Sequence, residues 1–234
     1  MKKLFPMFLL FAAVVIAAAD DYSAVEDAII KWDDNAGIYA QIEILTNKET
    51  KSDTDLFYLT KLYYYYGIEK QKDRDKLAAF EEGRKYADLL LANDPVHTEG
   101  MYYLAAILGK IGLVKGVLKS LALAKPIREL CEKIISIDPN HPGAHHILGV
   151  LLRKLPGFAG GDNKRSREYL AKACELRPTY SLHFYEFAET LIKVKEKEKA
   201  REVLEHLING DFPKDRIQEA RDKKDGEKLL SELK

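Results

Sequence analysis

The 234-residue sequence predicts an all-α protein built from stacked helical hairpins. Apolar residues recur three and four positions apart along most of the chain, and no stretch shows the alternation that is typical of a strand. Pro95, Pro139 and Pro178 are spaced 44 and 39 residues apart, and each lies between two amphipathic segments. Such a period is typical of helical repeats, which stack because one hairpin cannot bury its own apolar face.

A small residue lies ten positions after each of these prolines, and a bulky apolar residue immediately precedes it in the sequence. The small residues are Ala105, Gly149 and Ala188. A small side chain lets two helix backbones approach closely, and proline ends a helix because it lacks the backbone N–H. We therefore predict an α-solenoid of tetratricopeptide-like hairpins, which presents a curved surface to partners. This organisation favours a binding scaffold over an enzyme.

The chain divides into four predicted segments. These are a signal peptide at 1–19, N-terminal helices at 20–70, tetratricopeptide-like repeats at 71–209 and a C-terminal capping helix at 210–234. The first segment has two lysines, an apolar run over residues 4–16 and three alanines that predict cleavage after Ala19. An uncleaved N-terminal anchor is the alternative. The signal predicts a periplasmic or otherwise exported protein, and no cysteine follows it for lipid attachment.

Two helices are expected before the repeats, because Val25, Ile29 and Trp32 recur at helical spacing and a second apolar series follows Ser52, a predicted N-cap. The tyrosines at 63–66 continue that second helix. The helices predicted after them span 76–93, 98–110, 118–137, 142–154, 163–176, 181–194, 198–208 and 215–233. Pro126 is expected to start or kink the third of these.

Composition excludes several functional classes. Lys and Arg together equal Asp and Glu, 37 against 37, which argues against a nucleic-acid binder or a general membrane-surface binder. Nucleophile-elbow and phosphate-loop motifs are absent, so we expect no enzyme and no cofactor. Cys131 and Cys174 occupy different places in their repeats, which favours two small core residues, although export would permit a disulfide.

Two local features allow a site or a purely structural role. The loop at 155–162, LPGFAGGD, could hold an anion through glycine N–H groups, but Asp162 would repel an anion and is better explained as an N-cap. His141 and His145 are spaced as two zinc ligands on one helix face, beside His146. A third ligand is missing, so we expect no metal and favour a groove-facing or otherwise satisfied histidine pair.

A ligand or partner groove is predicted from the register of the small residues, which face the partner helix. Positions three before and one, four and five after each small residue should lie on the concave side. The groove set is Tyr102, Lys110, His146, Arg153, Lys154, Tyr185, Glu189 and Lys193. The three lysines, which are equivalent in the repeats, suggest a carboxylate-bearing partner. The alternative is that each lysine complements the negative end of its own helix.

The stretch from 76 to 208 resembles the tetratricopeptide T component of periplasmic TRAP transporters (TatT). The resemblance is carried by HHILG at 145–149, KLPG at 154–157 and GGD at 160–162, followed by Ala171 and Ala173. The eukaryotic regulators of microtubule dynamics resemble the same stretch. The TatT resemblance implies a periplasmic protein that partners a transporter's solute-binding protein, and it also implies a homo-oligomer with ligand-lined pores. A general envelope-assembly adaptor without a small-molecule ligand is the alternative function.

Overall fold

Eleven α-helices make up most of residues 21–233, the part of the chain that the computed structural model describes. They are α1 (Ser23–Ile30), α2 (Asn35–Thr46), α3 (Asp53–Glu69), α4 (Asp73–Asn93), α5 (Thr98–Lys115), α6 (Val117–Ile137), α7 (Pro142–Lys154), α8 (Asn163–Leu176), α9 (Ser181–Lys193), α10 (Lys197–Asn209) and α11 (Arg216–Glu232). A 3-10 turn, Gly157–Ala159, joins α7 to α8. Since this range contains no strand, the all-α prediction is confirmed. The predicted signal at 1–19 lies outside the described residues.

The helices pack as hairpins, α3 with α4, α5 with α6, α7 with α8 and α9 with α10, and each hairpin packs on the next. The small residues lie at the closest approaches. Ala105 and Ala188 are fully buried, and a Cβ on Gly149 would lie 2.5 Å from Cγ of Leu170 in α8. The predicted solenoid of stacked hairpins is therefore confirmed, and its contacts depend on these short side chains.

Side-chain caps explain why several helices begin where the sequence predicts. Nδ1 of His97 accepts from Gly100 N, and Nδ1 of His141 accepts from Ala144 N, two residues after the repeat prolines. Ser52 forms a capping box at the start of α3. Asp162 accepts from the first backbone N–H groups of α8, as predicted.

The prediction of two helices before the repeats is wrong, because the structure has three. The helical series breaks after Ile30, and Asp34 starts α2 by accepting from Ala36 N. Trp32 lies in the turn between α1 and α2, and its ring is buried. Its position therefore fits the helical spacing of apolar residues although the chain is not helical there. Pro126 does not start a helix either, since α6 begins at Val117 and contains it.

Three apolar clusters form the core, one under the N-terminal helices, one between the central hairpins and one beneath α8 to α11. Cys131 and Cys174 are buried and unbridged, in agreement with two core residues. No helix in the described range combines the length and the apolar character that crossing a bilayer requires.

Candidate functional site

Arg153 is the centre of a charged group on the inner side of the hairpins. Its guanidinium contacts the carboxylates of Glu186 and Glu189, the latter at 2.8 Å, and donates to the backbone oxygen of Glu186 at 2.9 Å. Arg153 is buried, so this predicted groove residue is committed to α9 of its own chain. The ion pairs join two successive hairpins, and they leave Arg153 with little capacity to bind a partner.

Lys110 differs from the other two predicted lysines. Because α5 continues to Lys115, Lys110 lies well before the helix end, and the helix-dipole explanation does not apply to it. Its ammonium is half-buried, and burial lowers its pKa while Glu186 opposes that change. No hydrogen bond or ion pair to Lys110 occurs within residues 21–233. Lys154 and Lys193, in contrast, are exposed in the last turns of α7 and α9.

Most of the predicted groove set is brought together. The charges of Lys110, Arg153 and Lys154 lower the pKa of His146. Those of Glu189 and Arg153 influence the pKa of Tyr185 in opposite directions. Six of the eight residues therefore share one electrostatic neighbourhood. Tyr102 and Lys193 do not belong to it. Tyr102 lies in a separate aromatic group next to Tyr103, with ring centroids 5.0 Å apart. Lys193 forms no hydrogen bond or ion pair with the other seven in the described part of the chain.

The aromatic group around Tyr102 contains phenols from α3, α5 and the turn before α9. Its members are Tyr64, Tyr65, Tyr102, Tyr103 and Tyr180. Burial raises the pKa of every one of them, that of Tyr64 to about 12. All five hydroxyls are therefore neutral hydrogen-bond donors at physiological pH.

Arg177 brings a second cation to this group. Its positive charge lowers the pKa of Tyr102 and of Glu99. Within the described residues the Arg177 side chain has no hydrogen bond or ion pair. Four of these phenols are partly exposed, and only Tyr103 is buried. We use the term inner face for the surface formed by these four phenols together with Lys110, His146 and Arg177. This face combines neutral phenol donors with two cations that lack a counter-ion in contact.

The imidazoles on this side are neutral. The His146 and His183 rings are 5.0 Å apart, and burial lowers the pKa of His146 to about 3, helped by nearby cations. Nδ1 of His146 is buried without a hydrogen-bond partner. Because two neutral, buried rings cannot take up a proton readily here, they are poorly suited to general acid–base catalysis near neutral pH.

The three clustered histidines point to different partners. His141 is the N-cap of α7 rather than a residue on its face, and its Nε2 lies 3.2 Å from Oε1 of Glu99. His145 contacts the backbone oxygen of Pro139 at 2.9 Å. In the described range no group of three His, Cys, Asp or Glu side chains is placed to hold a metal ion.

The four backbone N–H groups at 159–162, where the glycine loop meets α8, already donate to acceptors within the chain. The N–H of Gly161 donates to Pro156 O, and the N–H of Asp162 donates to Leu152 O. Gly160 adopts a left-handed conformation with φ at 84°, and a Cβ on Gly161 would lie 1.9 Å from Leu155 O. The glycines are thus required by the turn itself, which agrees with the N-cap interpretation.

Contacts between the two ends of the chain close the inner face, and the sequence analysis missed them. Nε1 of Trp32 donates to Oδ1 of Asp215 at 3.0 Å, and Arg221 pairs with Glu69 at 3.0 Å while lying 4.4 Å from the Trp32 ring centre. Ile217 packs on the N-terminal apolar cluster. The predicted capping helix therefore covers the last hairpin and also reaches the first helices. We refer to these contacts as the closure.

Three comparisons place this fold among known proteins. No curated protein matches by sequence. A thermophilic TPR protein of Thermus thermophilus is similar in structure, with a TM-score of 0.60 and 12% identity over 90% of this chain and 94% of that one. The MamA protein is a more distant structural match, with a TM-score of 0.44 and 21% identity over 75% of this chain and 86% of that one. Together with the hairpins, the Thermus match supports a TPR-like helical scaffold.

The family comparison is more specific, and it falls on the N-terminal helices and the first hairpins. The model that describes regulator of microtubule dynamics protein 1-3 matches residues 26–154, which is more than half of the 234-residue chain. This region contains α2 to α7 and most of the inner-face phenols. The chain belongs to the family of regulator of microtubule dynamics protein 1-3.

Proposed function

We propose that this protein is a non-enzymatic, exported scaffold that binds a partner protein through its inner face. The observation that carries the proposal is a pair of cations without a counter-ion in contact, Arg177 beside the neutral phenols and Lys110 beside His146. A partly desolvated cation without a counter-ion is costly, and a carboxylate from a partner would relieve that cost. Phenol hydroxyls would donate further hydrogen bonds to the same segment.

The chemistry of the inner face favours an acidic segment as the bound element. Tyrosine provides large contact area with little loss of conformational entropy, and Arg suits planar recognition of carboxylates. Phenols from three elements converge here, so a segment bound at this face would touch several repeats at once. Binding by contacts spread along a solenoid is the usual mode of tetratricopeptide-like scaffolds.

The proposed partner is the solute-binding protein of a TRAP-type transporter, by the resemblance to its T component. A general envelope-assembly adaptor is the second candidate. The name of the family concerns microtubule dynamics, and it identifies no partner for an exported chain. Crosslinking followed by affinity purification from the native envelope separates these candidates: recovery of a periplasmic solute-binding protein supports the first, and recovery of assembly factors alone supports the second.

A matched pair of charge reversals tests the role of the inner face. We expect Lys110→Glu to reduce recovery of the partner by roughly tenfold or more, since a favourable contact becomes a repulsive one. Lys193→Glu carries the same change on an exposed lysine outside the charged neighbourhood and should leave recovery unchanged. Equal recovery with both variants, in proteins with unchanged helical content, would rule out the inner face as the binding surface.

A further inference from the structure

The turn between α5 and α6 exposes three large aliphatic side chains. Leu113 is 63% exposed, Val117 76% and Leu118 85%, although most residues of this size are buried elsewhere in the described chain. Consecutive exposed aliphatic residues on a helical tip are not needed for the fold, because the core of this hairpin is formed by other residues. Such a patch on a soluble surface indicates an interaction site.

The same tip is basic, although the whole chain is neutral. No Asp or Glu occurs between Glu99 and Glu129, while four lysines and Arg128 do, and two of these lysines, Lys115 and Lys119, lie at the tip itself. Lys115 pairs with Glu81 of α4 at 2.7 Å, and Lys119 has no ion-pair partner in the described residues. Because acidic residues are concentrated elsewhere, the overall balance of charge conceals a local excess of positive charge here.

The tip also projects beyond the neighbouring hairpin. Nη2 of Arg128 donates to the backbone oxygen of Gly160 at 3.0 Å, which places the α7–α8 turn beside the twelfth residue of α6. The eleven residues of α6 before Arg128 correspond to roughly 16 Å of helix at about 1.5 Å per residue. Phe158, 89% exposed, lies on that neighbouring turn at the same edge of the solenoid.

We propose that the α5–α6 tip, residues 113–119, docks on an anionic membrane surface. Aliphatic side chains beside lysines suit the boundary between headgroups and acyl chains, where the apolar groups leave water and the ammonium groups meet lipid phosphates. A second copy of the chain is less suitable as the occupant, because a symmetric contact would bring two copies of Lys119 together. This surface is separate from the inner face, and its role does not depend on the proposed partner.

Two tryptophan variants of the full chain test this proposal directly. Leu118→Trp places a reporter at the tip, and Val96→Trp places one at the α4–α5 turn, where Val96 is 59% exposed. Both retain Trp32, which is the only tryptophan of the chain and is buried. Vesicles of phosphatidylcholine and phosphatidylglycerol with brominated acyl chains quench a tryptophan that enters them. The N-terminal apolar segment is common to both variants, so it contributes equally to both.

We expect vesicles to quench and blue-shift the emission of Leu118→Trp and to leave that of Val96→Trp unchanged. Adding Lys119→Glu should weaken vesicle binding by roughly tenfold or more, whereas Lys214→Glu, an exposed control, should not. Equal quenching at both positions, or none at either, would overturn the proposal. A blue shift of Leu118→Trp without lipid that grows with protein concentration would also overturn it, in favour of a second copy.

Discussion

The hairpins and the closure are held together by different kinds of contact. Within the hairpins, buried apolar side chains and short residues such as Gly149 pack helices that are neighbours in sequence. The closure joins Trp32 to Asp215 and Glu69 to Arg221 across 183 and 152 residues by polar contacts, in which Asp215 and Arg221 are partly exposed although the Trp32 ring is buried. Close-packed contacts resist change, whereas exposed polar pairs are individually weak. The difference indicates that the hairpin contacts determine the stability of the fold, whereas the closure determines access to the inner face.

The largest effect should come from breaking a buried ion pair between hairpins. Arg153→Met leaves two carboxylates on α9 without their cation, and we expect the free energy of unfolding to fall by about 3 kcal/mol or more. Arg167→Met removes the partner of Glu196, a surface pair in which both side chains are more than a third exposed. That control should cost less than about 1 kcal/mol. Equal losses in urea unfolding would contradict the distinction between buried and exposed contacts.

Asp222 should make the docking of α11 on α9 dependent on pH. Burial raises its pKa to about 7, although Ser181 and Gln218 donate hydrogen bonds that oppose this. The unfolded value is about 4, so the folded state favours the protonated acid. The stabilisation by this group is complete below about pH 4 and is lost as the pH rises to about 7.

The full loss of unfolding free energy is about 4 kcal/mol, because the folded and unfolded pKa values differ by about three units and one unit corresponds to about 1.4 kcal/mol. Thermal unfolding of the wild type and of Asp222→Asn, compared from pH 5 to pH 8, measures it. The difference between the two proteins should change with pH in the stated direction. A constant difference would show that Asp222 does not titrate in this range.

Two identical substitutions should have opposite effects on the hairpins. Gly149→Ala places a Cβ 2.5 Å from Leu170 and should lower the free energy of unfolding by about 1–3 kcal/mol. A Cβ on Gly109 of α5 would meet nothing within 4 Å, so Gly109→Ala should raise it by about 0.5–1 kcal/mol. Chemical denaturation of both variants checks the signs. A stabilising Gly149→Ala would mean that close helix approach is not essential.

The smallest effect on stability is expected at the closure. Asp215→Asn combined with Arg221→Gln should lower the free energy of unfolding by about 1 kcal/mol or less, because these pairs are partly exposed. The same change should make Trp32, buried in the closed form, clearly more accessible to acrylamide. Arg84→Gln alters a surface ion pair on α4 and serves as the control. Unchanged quenching would show that apolar contacts such as Ile217 suffice for the closure.

Local features of the fold could be predicted from the sequence, and distant ones could not. The bounds of α7 and α8 agree with the prediction, because Pro142, Asp162 and the repeat prolines mark them chemically. The extension of α5 past Lys110 was missed, since its end depends on Gly116, whose φ of 88° ends the helix. Lys110 is therefore not in the last turn of its helix, whereas Lys154 and Lys193 are in the last turns of theirs.

The candidate site was only partly predictable for a similar reason. Repeat register identified Lys110, His146 and Tyr102, because equivalent positions in stacked helices share a side. It could not identify Arg177, which lies in a turn, or the closure at Asp215, which depends on how far the solenoid curves. Curvature results from small rotations summed over all repeats, and no single motif encodes that sum.

Photo-crosslinking from the inner face tests the central claim most directly. A benzophenone amino acid replaces Tyr102 in one variant and Leu89, an exposed residue of α4, in another. If the partner binds at the inner face, irradiation in the native envelope should give a discrete adduct with the Tyr102 variant and none with the Leu89 variant. An adduct from Leu89 alone, or equal adducts from both, would contradict the account.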